Sequence, residues 1–477
     1  MKRNIHAALI AALLCASTFI ACESLDEINV DPNSTSQPRP DYLLAGVEKN
    51  GADLYWGSAL GYGGTLLFVQ HWAAIQYTDI DRYSFTNTAS IVASTWNTAY
   101  TSLVANLDII IALPDGVSNA NYRGAALALR SWVFLLLADL YGDVPYSQSG
   151  KSIVPAYDAQ QSVYAGIQND LDEARRLLNS AAGKIAGDAV YGGDIEKWRK
   201  FAASLKLRIA LRTADREPEK AKQLVASLNP AELISNNDES FRLVYTASPY
   251  NNPQHEHFVA RNDYRISKTI VDKLKALNDP RLPVYADLPR DQSESDYRGG
   301  ANGLSNGEAN SQGFDRISRP GKQFISPDAP AVIYSCSELL FNLAEAAARQ
   351  YIAGNPEEYY TQAIKASFAQ FGITDAAAID AYLAQPAVKY DASNWRKSIG
   401  EQKWLALFGQ GPDAFTEWRR LDFPKLTAGP ANVLNDKIPL RLFYPGTEQS
   451  LNGKNRESAV ARQGADVLTT PLWFDVR

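Results

Sequence analysis

The chain has 477 residues, 45% of them hydrophobic and 21% charged, which is enough for a large core and excludes a generally disordered protein. Its 53 acidic residues outnumber 47 basic ones, so the charge balance gives no reason to expect a nucleic acid as partner. Three cysteines cannot build a disulfide framework, so stability has to come from packing.

Lys2 and Arg3 precede an apolar run from Ala7 to Ala21 that ends in small residues, which predicts a secretory signal over residues 1–21. The run is shorter than the roughly 20 apolar residues of a membrane-spanning helix. Phe19-Ile20-Ala21-Cys22 resembles a relaxed bacterial lipobox, so Cys22 is expected to become an acylated first residue. An ordinary secreted protein with a cysteine at its cut is the other reading; Cys15 is a poor rival because the apolar run continues past it. At about 0.8 kcal/mol per buried methylene, several acyl chains would hold the protein to a membrane without a crossing helix. Cleavage leaves about 456 residues, a net charge of -8 (45 basic against 53 acidic) and Cys336 as the spare thiol. Residues 22–40 predict an extended tether, because Pro32, Pro38 and Pro40 forbid a helix and Asp31-Pro32-Asn33 is turn chemistry.

Residues 41–477 predict a single, mainly α domain. In SVYAGIQNDLDEARRLL, Tyr164, Ile167, Leu171, Ala174 and Leu178 recur at helical spacing. NYRGAALALRSWVFLLLADLYGDVPY is apolar nearly all round, as in a helix covered on several sides and stopped by Gly142 and Pro145. Trp198, Phe201, Ala202, Leu205 and Ile209 make a further face, whose basic residues between Lys197 and Arg212 read as a solvated or ion-paired flank rather than a binding patch. SELLFNLAEAAARQYIAG and NPEEYYTQAIKASFAQFG meet at Gly354-Asn355-Pro356 and look like the helix hairpin of a tetratricopeptide repeat. The helical scaffold is thus expected over about 41–235 and 335–420. Loop-rich insertions are expected over about 240–330, with a short helix near Ser267 to Leu277, and over 424–477.

Catalytic and metal chemistry find little support. His255 and His257 flank Glu256 in PQHEHF, but no further ligand cluster joins them, and a loop facing water is the preferred reading. The chain lacks a phosphate loop and H-E-x-x-H. Asp79 and Asp81 could in principle act as acid and base on a glycosidic bond, yet a ligand-fixing or structural role is preferred. Cys336, at the start of an apolar helix, is expected to be a buried small hydrophobe. No cofactor, no metal and no enzymatic activity are expected.

Taken in order, LDEINVDPNSTSQ, LRSWVFLLLADLYGDVPY, YGGDIEKWRKFAASLKLRIALR, NDPRLPVYAD, SELLFNLAEAAARQYIAG, EQKWLALFGQGPDAFTEWRRLDFPKL, IPLRLFYPGTEQSLN and LTTPLWFDVR span nearly the whole chain. Together they resemble the SusD/RagB family of outer-membrane nutrient-binding lipoproteins of Bacteroidota, in its SusD-like second subgroup. The resemblance implies a tetratricopeptide-like scaffold, anchoring in outer-membrane lipid on the cell surface, and a SusC-type TonB-dependent transporter as partner. It also implies an oligosaccharide, or sometimes a peptide, as ligand. Glu23, Asp26 and Glu27 resemble an acidic surface-export tag, with looser spacing than a compact acidic run.

A sugar site needs aromatic platforms beside hydrogen-bonding side chains. QYTDIDRYSFTN offers Tyr77, Asp79, Arg82, Tyr83 and Asn87; SPYNNPQHEHF offers Tyr250, Asn251 and Asn252; the long insertion offers Tyr297 and Phe314. Packing of Tyr77 and Tyr83 on the scaffold is an equally weighted reading. The alternatives to glycan capture are peptide capture, a surface glycosidase and a structural repeat scaffold.

Overall fold

Helical spacing in the sequence becomes helix-on-helix packing in the computed structural model, which describes residues 39–85, 90–246 and 248–476. The signal, Cys22, nearly all of the tether and Asn87 lie outside the described residues. Pro40–Arg477 forms one compact unit.

In chain order its main elements begin with α1 (Pro40–Trp56), β1 (Trp72–Ala74), α2 (Ala105–Ile111), α3 (Val117–Tyr141), α4 (Gln160–Leu177), α5 (Ile195–Thr213), α6 (Pro218–Ala226) and β2 (Phe241–Leu243). There follow α7 (Pro253–Ala260), β3 (Tyr264–Ile266), α8 (Lys268–Ala276), β4 (Ala331–Tyr334), α9 (Cys336–Ala348), α10 (Pro356–Gln370), α11 (Trp395–Ala406), α12 (Gly411–Leu421) and α13 (Gly453–Gln463). Neighbouring helices pack in sequence, α3 on α4, α4 on α5 and α9 on α10, which is the expected tetratricopeptide-like stacking.

α3 is long and apolar enough to cross a membrane, but 94% of its most apolar window is buried within the protein, so its hydrophobicity serves the core. It ends at Gly142, whose φ of 86° lies in the left-handed region and where a Cβ would strike the Gln463 side chain. The apolar positions read in α4 and α5 are buried, from Tyr164 through Ala174 and from Trp198 through Ile209. Asn355 caps α10 by accepting from the Glu357 N–H, and Pro356 occupies the first helical position. Cys336 is buried as expected, and burial pushes its thiol up to about 12.

The basic residues of α5 are an ion-paired flank whose C-terminal half, Lys206, Arg208 and Arg212, turns inward, while Lys197, Arg199 and Lys200 stay half-exposed. Arg208 holds Glu338 of α9 at 2.6 Å and Asp413 of α12 at 3.2 Å, and Arg212 reaches Asp139 of α3 at 3.1 Å and also pairs with Glu417 of α12. Glu417 is shared with Lys403 of α11 at 2.7 Å and Arg420 at 2.6 Å, and Arg420 pairs in turn with Glu345 of α9. Burial alone would raise the Glu417 carboxyl, but Arg420, Lys403 and Arg212 hold it well below the usual carboxylate range.

Two short antiparallel strand pairs fasten the insertion to the scaffold. β1 pairs with β3, Trp72 facing Ile266 and Ala74 facing Tyr264; β2 pairs with β4, with a register shift between Phe241 and Arg242. The insertion is less irregular than its composition suggests. The short helix expected near Ser267 is α8, capped by the Ser267 hydroxyl. The PQHEHF stretch, read as a loop facing water, is α7, because Asn252 caps it and Pro253 starts it. The C-terminal loop-rich stretch likewise contains α13.

Removing one member of a buried ion cluster strands the others. Arg420→Ala should therefore cost about 3–5 kcal/mol in denaturant unfolding, with little rescue by salt. A loss below about 1 kcal/mol would mean these charges behave as a solvated surface pair.

Candidate functional site

β1 ends at Ala74 and β3 begins at Tyr264, so their pairing sets the turn after β1 beside the turn before β3. The Ile75 N–H donates to the Asp263 carbonyl at 2.9 Å and continues that registration. Tyr77 then takes a φ of 54°, in the left-handed region that is costly for a bulky side chain, and its ring stands 63% exposed. The Arg261 guanidinium lies 4.7 Å from the ring centroid, within cation–π range, and its Nε donates to Asp263 Oδ2 at 2.9 Å. Beneath this surface Tyr62, His257 and Tyr264 form a ring cluster with centroids 4.9 to 5.5 Å apart. Burial lowers the His257 imidazole, favouring its neutral form.

Two asparagines from the insertion fix the turn from the other side. The Thr78 N–H donates to Asn306 Oδ1 at 2.9 Å. Asn302 Nδ2 donates to the Trp72 carbonyl and to Asp81 Oδ1, both at 2.7 Å. The Ala74 N–H donates to the other Asp81 oxygen at 3.1 Å. Asp81 is buried, and desolvation pushes its carboxyl up to about 7 against these hydrogen bonds. Asp79 instead pairs with Arg82 at 2.6 Å near the surface. The two carboxylates of the Asp79–Asp81 pair thus meet different environments, one inside the fold and one in an ion pair.

The other expected ligand residues divide clearly. Tyr83, also at positive φ, is 1% exposed and packs its ring 6.1 Å from Phe68, so it is a core residue and not a platform. Asn252 is fully buried; its Oδ1 accepts from the Gln254 N–H at 2.7 Å and its Nδ2 donates to the Ala329 carbonyl at 2.8 Å, which makes it a helix cap. Asn251 donates to the neighbouring Glu256. Tyr250 is exposed and lines a separate groove of about 390 Å³ with Val244, Tyr245 and Lys49. Tyr297 is half-buried and packs against the core.

Phe314 joins the Tyr77 surface indirectly. The buried Arg265 donates to the Phe314 carbonyl at 2.7 Å and to the Asn262 carbonyl at 3.1 Å, which links Phe314 to the turn carrying Arg261. Arg261, Asn262 and Asn306 were not anticipated as site residues. Nothing local distinguishes them, since their role comes from the β1–β3 pairing and the return of the insertion. The His255 ring bonds the Ile325 carbonyl at 3.1 Å, and no group of three potential metal ligands occurs among the described residues. The surface around Tyr77 can therefore offer a flat ring, a guanidinium and amide groups to a ligand.

Comparison with known proteins agrees with this architecture. The chain matches a chitin-binding protein of known structure with a TM-score of 0.83 and 27% identity, over 92% of this chain and all of that one. A SusD homologue from Bacteroides uniformis matches with a TM-score of 0.81 and 25% identity, over 91% of this chain and all of the other. A chitin-binding SusD homologue from Flavobacterium johnsoniae shares the fold at 23% identity, with a TM-score of 0.78, over 92% of this chain and 98% of its own. No curated protein matches the chain. Residues 32–445 match the family SusD-like_2, described as starch-binding and associating with the outer membrane. With so much of its length matched, the chain belongs to this SusD-like family of outer-membrane-associated binding proteins.

Proposed function

We propose that this protein is a lipid-anchored capture protein on the outer face of the cell, which binds an oligosaccharide across the Tyr77–Arg261 surface and passes it to a SusC-type TonB-dependent transporter. The observation that carries the reading is the Tyr77 ring, kept exposed in a strained backbone conformation and braced by a guanidinium. Water-exposed aromatic rings contribute little to stability, whereas such a ring can cover the apolar C–H face of a sugar. Arg261 and Asn262 extend the surface with donors and acceptors. Membership of the family, and likeness to a chitin-binding protein at 27% identity, support a glycan over other nutrients. Capture rather than cleavage is proposed, since Asp81 is inside the fold and Asp79 is engaged by Arg82. Anchoring through Cys22 would leave the body free above the lipid on the tether.

Isothermal titration of the soluble chain beginning at Glu23 against oligosaccharides and peptide mixtures tests the reading. Saturable glycan binding without product, weakened about tenfold or more by Tyr77→Ala, is the expected result. Binding confined to peptides would replace the glycan, and an unaffected Tyr77→Ala variant would move the site elsewhere. Thermal and chemical denaturation should separate the two tyrosines: Tyr83→Ala costs about 3–5 kcal/mol and Tyr77→Ala less than about 1 kcal/mol. Cys22→Ala should yield a folded protein that no longer fractionates with membranes; retention in the outer membrane would refute the lipid anchor.

A further inference from the structure

The insertion folds back on β3 and brings three arginines together. The Ile266 N–H donates to the Ser318 carbonyl at 3.2 Å, and the Asp287 N–H donates to the Arg319 carbonyl at 3.0 Å. Ala286 and Pro320 form an antiparallel bridge beside that contact. Arg265, Arg290 and Arg319 thereby share one corner of the protein. The Arg319 guanidinium lies 4.9 Å from the centroid of the Phe258 ring, and Phe258 meets His257 edge-on at 5.7 Å, so this corner adjoins the ring cluster beneath Tyr77.

Other charges of the insertion are paired. Arg298 and Arg316 share Glu294 at 2.6 and 2.9 Å, and Lys275 holds Asp296 at 2.8 Å. The three arginines differ. Arg265 is fully buried and directs its donors to the carbonyls of Phe314, Tyr264 and Asn262 and to the Asn262 amide oxygen. Those neutral oxygens satisfy its hydrogen bonds and leave its charge uncancelled. Among the described residues, Arg290 and Arg319 have neither an ion pair nor a side-chain hydrogen bond. Arg319 Nε is buried, but its terminal nitrogens are open to solvent, and Arg290 is exposed.

Burial, then the like charge of Arg290, lowers the Arg319 guanidinium; burial, then Arg319 and Arg290, brings Arg265 down to about 10. Asp287 is within electrostatic reach of Lys322, Arg319 and Arg290, yet burial outweighs their pull and its carboxyl stays raised. Asp263, which also acts on Arg265, is taken by Arg261, and Asp315 is exposed. Arg265, Arg290, Arg319 and Lys322 thus face Asp287 and Asp315, an excess of positive charge on a chain whose formal charge is -6.

We propose that Arg290 and Arg319 recognise an oxyanion on the captured glycan, so that the ligand is an acidic oligosaccharide bearing a uronate carboxylate or a sulfate ester. The inference rests on the capture reading and names its substrate class. Guanidinium forks match the paired oxygens of both groups, and the Arg265 charge beneath adds attraction without touching the ligand. Two accessible guanidiniums suit isolated anionic groups on a sugar chain. A nucleic acid or an anionic membrane would meet the repulsion of an acidic protein over a wider area.

The test is calorimetry of the soluble chain beginning at Glu23 with matched ligands: galacturonate trimers and their methyl esters, and sulfated and desulfated galactan oligosaccharides. At least one acidic ligand should saturate a single site about tenfold or more tighter than its neutral counterpart, and lose that advantage at about 0.5 M salt. Arg290→Gln, an exposed change, should abolish the preference at an unchanged melting temperature, and Arg319→Gln should do the same. Lys220→Gln on α6, which removes an equal charge elsewhere, should leave the preference intact. The proposal is overturned if acidic and neutral counterparts bind alike, if inorganic sulfate binds as tightly as any acidic sugar, or if the preference survives the combined arginine variant. Should Arg319→Gln not fold, survival in Arg290→Gln alone overturns it. Arginine-dependent binding of a DNA duplex or of phosphatidylglycerol vesicles, with no acidic sugar bound, overturns it as well. Neutral glycans bound through Tyr77 with no acid preference would remove this inference and keep the capture reading, whereas silence toward every glycan would remove both.

Discussion

Glu417 sits among Arg212, Lys403 and Arg420, and the rest of the scaffold depends on that arrangement. A carboxylate taken out of water is tolerable only when cations and hydrogen bonds replace its hydration. Here the replacements come from α5, α11 and α12, while Arg420 recruits Glu345 of α9 and Arg212 recruits Asp139 of α3. Helices from the two halves of the chain, separated by the long insertion, are thereby held in one relative position. Hydrophobic contacts alone tolerate sliding and repacking, whereas a shared carboxylate with three cations accepts one geometry.

That rigidity lets the Tyr77 side be built from short and irregular pieces. The three-residue strands β1 and β3 would be marginal by themselves, but each starts or ends on a packed scaffold. Tyr77 can occupy a strained conformation because its neighbours are fixed on both sides, by Asp263 through Ile75 and by Asn306 through Thr78. The stability of the helical body thus supports local strain at the surface.

The scaffold was largely legible in the sequence. Periodic apolar positions located α3, α4 and α5, and Gly354-Asn355-Pro356 marked the α9–α10 hairpin, because helical spacing and caps are local signals. The ion pairs of Arg208 and Arg212 were only half legible: the basic face was visible, its partners some 130 to 205 residues away were not. The Asn252-Pro253 start signal of α7 is local, but two histidines and a glutamate give the following turn the polar composition of a loop. Tyr77 and Tyr83 could not be told apart, since the side each ring faces is set by backbone turns at positive φ and by packing on Phe68. Arg261 and Asn306 carry no local mark at all, because a pairing across nearly two hundred residues brings them beside Tyr77 and Thr78.

The same long-range pairing has a consequence for biogenesis. A surface whose two halves are Trp72–Ala74 and Tyr264–Ile266, with Asn302 and Asn306 as fasteners, has no existence in a partly emerged chain. Closing loops of that length is slow compared with forming local helix pairs. The scaffold helices can therefore organise while the Tyr77 surface is still incomplete, and that surface exists only once the insertion has docked. Any ligand of that surface can therefore meet it only in a chain whose fold is complete.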